Sequence, residues 1–149
     1  MRIHIRHLAT AICVLTGLCL APSAGAAGAT AQERQAAQCV AALDVNTQDL
    51  ARQVKAGKEA LRRLLLERLQ AGAAFVGDSY LHGNSDEDQA RALVEQALDA
   101  QRSLSAAELA ARQTACAAQG AKLLASGNAL QRLAVKRLAK KRMERLLGA

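Results

Sequence analysis

His82 stands four positions after Asp78 in the stretch "DSYLH", residues 78–82, and the other two histidines, His4 and His7, lie at the extreme N-terminus. On a helix, a spacing of four puts an imidazole and a carboxylate on one face. Two ligands are too few for a structural zinc site, which closes with four. Ser79 beside them does not complete a relay either, because a nucleophile, base and orienting acid need a geometry that one helix does not supply. The simpler role is local: a ring near a helix C-terminus, where positive charge meets the carbonyl end of the dipole. The run "SDED", residues 85–88, offers hard oxygen ligands. It lacks the spaced Asp-x-Asp-x-Asp-Gly loop with a distal Glu that a calcium loop uses. Its acids fit the first turn of a helix instead. There is no CxxC pair and no Gly-rich phosphate loop. No residue set here calls for catalysis, a metal or a cofactor, and the chain is expected to act by binding.

The strongest charge signal is "LAVKRLAKKRMERLL", residues 133–147. Between Arg132 and Arg145 there are seven basic residues and a single acid, Glu144, a net +6. The candidate anion- or partner-binding residues are Arg132, Lys136, Arg137, Lys140, Lys141, Arg142, Arg145, Leu146 and Leu147. At 100° per residue, Leu130, Leu133, Ala134 and Leu138 share one side of a helix, and Val135, Ala139, Met143, Leu146 and Leu147 share nearly the opposite side. A straight helix cannot bury both against one bundle. Either it bends, or its first half docks and its second half offers Val135, Met143, Leu146 and Leu147 to something else. Nucleic acid suits the charge, but stacking aromatics are missing. An anionic lipid or glycan-phosphate surface would use a basic amphipathic helix with bulky anchors; Leu and Met supply part of that, without Trp or Phe. A protein partner or self-association, met by the exposed Leu residues, is the expectation kept first.

The ends of the chain say where it goes. Arg2 and Arg6 precede the apolar stretch Leu8–Leu20, then Pro22 and the small residues "SAGAAGATA". Basic, apolar, then small is the layout of a secretory signal peptide, expected over residues 1–26 and cut after Ala26 or Ala29. The apolar core is shorter than the roughly 20 residues a membrane-spanning helix needs. Export to the periplasm or beyond follows as an expectation, with residues 30–149 forming one domain that ends in a basic helix over 129–147. Without Arg2 and Arg6 the formal charge falls from +7 to +5, so outside the 132–145 segment the mature chain sums to about −1.

The same residues set the fold class. The apolar half of the composition is mostly Ala and Leu, with one Phe (Phe75), one Tyr (Tyr80) and no Trp. That makes an all-β fold untenable and favours helix throughout. The expected architecture is an all-α antiparallel bundle of four or five helices. Helix-like periodicity runs over the early segment carrying Cys39, from about Gln48 to Leu81, and over 86–102, and "SAAE" at Ser105–Glu108 reads as a capping box before the next helix. Asn46 and Thr47 could cap the second helix, and Gly57 and Gly72 inside it allow a kink or close contact. Cys39 and Cys116 survive processing, and in an oxidising compartment they are expected to form a disulfide that draws the first helix against the fourth.

Ala73, Gly77, Tyr80, Ala90, Val94 and Ala97 resemble the signature of a helix pair in tetratricopeptide and Sel1-like repeats, over residues 73–97 only. The spacing needs one extra residue in the turn, and Arg102 stands where that pattern favours Pro. The resemblance implies a helical scaffold for protein partners, without catalysis.

Overall fold

A computed structural model of the protein describes residues 28–82 and 86–148; the expected signal peptide lies outside the described residues. Regular structure within them is helical: α1 (Ala31–Asp44), α2 (Thr47–Lys55), α3 (Ala60–Leu81), α4 (Glu87–Arg102), α5 (Ala106–Ser126) and α6 (Ala129–Gly148). The all-α bundle expected from composition is the fold, with the Cys39–Cys116 disulfide in place.

Most helix starts follow directly from side-chain chemistry. Thr30 and Glu33 form a reciprocal capping box ahead of α1, and Ser105 and Glu108 do the same ahead of α5. Asp86 caps α4 by accepting from the Gln89 amide at 3.0 Å, and Glu87 and Asp88 occupy its first turn. The α1–α2 junction works differently from the expected capping. Asn46 makes no side-chain cap; it turns the chain in the left-handed region at φ 68°, which Asn tolerates better than most residues. The Thr47 hydroxyl donates backward to the Asp44 carbonyl at 2.9 Å.

The stretch expected as one helix from 48 to 81 is two. Gly57 adopts φ +96°, and the Lys58 amide reaches the Gln53 carbonyl at 3.0 Å while the Gly57 amide reaches Val54 at 3.0 Å. Those crossed bonds are a Schellman closure, which satisfies the terminal carbonyls and ends α2 outright. A glycine read as a tolerated interior residue is therefore the helix stop.

The central element is α3, which at 22 residues is about 33 Å long and packs against α1, α2, α5 and α6. Its N-terminal half buries Leu65 and Leu69 with Leu50, Ala51, Ala139 and Met143. Further along, Ala71 and Phe75 join Leu43 and the disulfide. The α4 helix lies on α1, with Leu93 against Ala37. Close helix approach is set at one point: a Cβ on Gly120 of α5 would stand 2.6 Å from the Ala71 Cβ and 2.7 Å from its Cα. Only a hydrogen fits there, so α3 and α5 cross nearly backbone to backbone.

Candidate functional site

The basic helix docks by its second half, the reverse of the alternative in which its first half docks and its second half stays free. Ala139 and Met143 are buried in the core formed with α2 and α3, and Leu146 and Leu147 pack half-buried against the same cluster. Leu130, Leu133 and Leu138, in the first half, are exposed. The reason is what faces α6. Leu50, Leu65 and Leu69 supply an apolar surface for the C-terminal half, whereas in the N-terminal half Val135 lies over Gly77 of α3. Leu146 and Leu147 are thus spent on the fold and are not free anchors.

The seven cations divide in the same manner. Arg142 forms an ion pair with Asp44 at the end of α1, 2.5 Å from Nη2 to Oδ1. Arg132 donates to the Gly127 carbonyl at 2.6 Å, closing the α5–α6 turn. Lys140 lies 3.9 Å from Glu144, a loose surface pair. Lys136, Arg137 and Lys141 are exposed. Together with Arg145, they make no hydrogen bond or ion pair among the described residues.

Where α6 leaves α3, the bundle opens into a groove of about 770 Å³, within the range of small-molecule sites. The α3 side is built from small residues, Gly72, Ala73 and Gly77, with Val76 and Tyr80 on the rim; Ala134, Val135 and Leu138 face them from α6. Val76 is 45% exposed, Tyr80 58% and Leu138 62%. The small residues keep the floor low: a Cβ on Gly72 would meet nothing within 4 Å, and one on Gly77 would meet only Val135, at 3.8 Å. Most of the surface inside is apolar.

Charged side chains line both ends of this groove, Asp78, His82 and Arg132 at the Tyr80 end and a group of arginines at the other. The helices α3 and α6 are antiparallel, since Leu65 and Leu69 meet Ala139 and Met143 while Gly77 faces Val135. That register places Arg68, Arg142 and Arg145 toward the end away from Tyr80, where Asp44 and Thr47 also line the groove. Arg68 was not among the sequence candidates. It is half-buried, and burial lowers its pKa from the ordinary arginine value. Its Nη2 donates to the Oε1 of Gln113 at 2.7 Å. Gln113 is itself buried and donates to the Ala42 carbonyl at 2.9 Å and the Val45 carbonyl at 3.3 Å, closing the end of α1. The hydrogen-bond partner of Arg68 is neutral, and its charge has no ion pair among the described residues.

The remaining sequence candidates have structural roles. The His82 amide donates to the Asp78 carbonyl at 3.1 Å, and the ring Nδ1 lies 2.8 Å from the same oxygen and 3.3 Å from Asp78 Oδ1. These contacts finish α3 at the groove's other end. Among the described residues no three His, Cys, Asp or Glu side chains are placed to share a metal ion, and no helix is long and apolar enough to cross a membrane. In the stretch that resembles a repeat helix pair, Gly77 faces Val135 of α6 and α4 packs chiefly on α1. Comparison with protein-family models, curated proteins and solved structures gave no match.

Proposed function

We propose that this protein is an exported, disulfide-stapled binding protein with no catalytic role, and that it binds through the groove between α3 and α6. One observation carries the reading: large apolar side chains, Val76, Tyr80 and Leu138, stand exposed around an apolar groove. Exposed apolar surface concentrated in a concave site marks binding, whereas scattered apolar residues need no explanation. Export is supported by the basic–apolar–small order of the N-terminus and by the disulfide, which persists in oxidising compartments.

The test is fluorescence of an apolar dye that brightens on burial. Wild-type protein should bind it at a single saturable site, and Val76→Asp should lose at least tenfold in affinity, because a carboxylate is then desolvated in the groove. Circular dichroism would confirm that the exposed substitution leaves the helices intact. Equal dye binding by both proteins would remove the groove from consideration.

A second reading has its own support. Lys136, Arg137 and Lys141 are exposed on α6 near Leu130 and Leu133, a surface suited to anionic lipid or glycan phosphate. In that case the protein should sediment with the cell envelope at low salt and be released at high salt, since exposed charge contacts are screened.

A further inference from the structure

We infer that the α3–α6 groove binds one long-chain fatty acid, its carboxylate held by Arg68 and Arg145 and its chain lying along α3 toward Tyr80. This rests on the groove reading above and adds the ligand's chemistry.

The groove is polarised along its length. From Arg68 to Leu81 its α3 wall covers 14 residues, about 20 Å at the rise of an α-helix. Asp78, His82 and Arg132 line the groove at the Tyr80 end, Asp78 beside His82 and Arg132 on the Gly127 carbonyl; between there and Arg68, Gly72, Ala73, Val76 and Gly77 with Val135 and Leu138 form an apolar strip. A ligand that fills it must be long, narrow and apolar. At the near end three guanidiniums meet one carboxylate, Asp44, which is already paired with Arg142. Arg68 and Arg145 are the charges left over, the first bonded only to a neutral amide. A guanidinium fork matches a carboxylate in shape, and the bond gains from desolvation in a half-buried position. An acidic partner helix fits less well, because it would bring carboxylates along its length, while Arg68 and Arg145, the cations of the groove without a polar commitment to another charge, both lie at one end.

The protein isolated with its disulfide intact is titrated calorimetrically with saturated fatty acids of increasing length, with the matching fatty alcohols, and with an alkyl phosphate, all below micellar concentrations. The expected result is one site, with affinity rising up to about fourfold per added methylene. The alcohol should bind about tenfold or more weakly, since it forgoes a charge-assisted contact. Arg145→Gln should weaken acid binding several-fold and narrow its advantage over the alcohol, with Arg68 still in place and alcohol affinity little changed. Arg145 is exposed and makes no hydrogen bond or ion pair among the described residues, so this variant keeps the fold; Arg68→Gln, checked by circular dichroism, provides a second arm.

Acid and alcohol binding equally to wild type, both lost in Val76→Asp, would overturn the head-group assignment and keep the groove. Alkyl phosphate binding without the acid would overturn the carboxylate. An acidic amphipathic peptide that binds where the acid does not would overturn the lipid ligand. If neither the amphiphiles nor the apolar dye bind, both this inference and the groove reading fall.

Discussion

Two buried glutamines show how differently one side-chain type can be used. Gln113 has its amide hydrogens on the Ala42 and Val45 carbonyls and its oxygen on Arg68. It joins α5 to the end of α1 and orients the guanidinium at the groove. Gln113→Ala strips the donors from those carbonyls and leaves Arg68 without its acceptor. The expected loss is about 2–3 kcal/mol, read as a lower urea midpoint with an unchanged slope. Gln101 is 1% exposed, yet among the described residues its Nε2 has no partner and its oxygen receives only a long contact of 3.4 Å from Arg112. A buried unmet donor costs about 1–3 kcal/mol, and Met has nearly the same volume. Gln101→Met should therefore raise stability by about 1 kcal/mol. An unchanged or lower midpoint would mean that Nε2 is satisfied after all.

At the scale of elements, the N-terminus of α5 couples stability to pH. The Glu108 carboxylate accepts from the Ser105 hydroxyl at 2.6 Å and from the Ser105 amide at 2.9 Å. The hydroxyl bond first, then the amide bond and the nearby Arg112 charge, hold its pKa below the ordinary Glu value. A pKa depressed by folding stabilises the native state above the unfolded value, about 4.3, and that contribution is lost as pH falls through the folded value. Glu108→Gln keeps a capping side chain that does not titrate. Wild type should thus lose more stability than the variant between pH 6 and pH 3, and parallel urea midpoints over that range would contradict it. This cap was legible because Ser-x-x-Glu is a local pattern that needs no tertiary partner. The stop at Gly57 was less so, since glycine also occurs inside helices and only its positive φ distinguishes the two. For α6 the sequence showed two opposed apolar arcs without saying which one docks. That choice was made by Leu50, Leu65 and Leu69, about 70 to 90 residues away along the chain. The groove left even less trace. It arises from what Gly72, Ala73 and Gly77 do not fill, and Arg68 sits in "LRRLLLERLQ" as one of several helix-forming cations.

For the molecule as a whole, the disulfide has a large share of the stability to supply. The buried side chains form three small clusters strung along α1 and α3, many of them alanines, so each crossing removes little apolar area from water. Cys39 and Cys116 tie α1 to α5 next to Ala71 and Phe75 of α3, with 77 residues of separation. Closing a loop of that length limits the unfolded chain and is worth about 4.5 kcal/mol on the chain-entropy account. Domains of this kind have only about 5–15 kcal/mol in total. Replacing both cysteines by Ser should therefore lower unfolding free energy by about 4 kcal/mol, with a steeper denaturant dependence because the unlinked chain exposes more surface. The loss should also be uneven in space. The cluster of α2, α3 and α6 contains neither cysteine, whereas the bridge joins α1 to α5 directly, beside α3. Amide exchange in the double variant should accelerate most in α1 and α5 and least around Leu65 and Met143. Uniform acceleration across all six helices would show instead that the bundle unfolds as one cooperative unit, with the groove's α3–α6 wall no more durable than the rest.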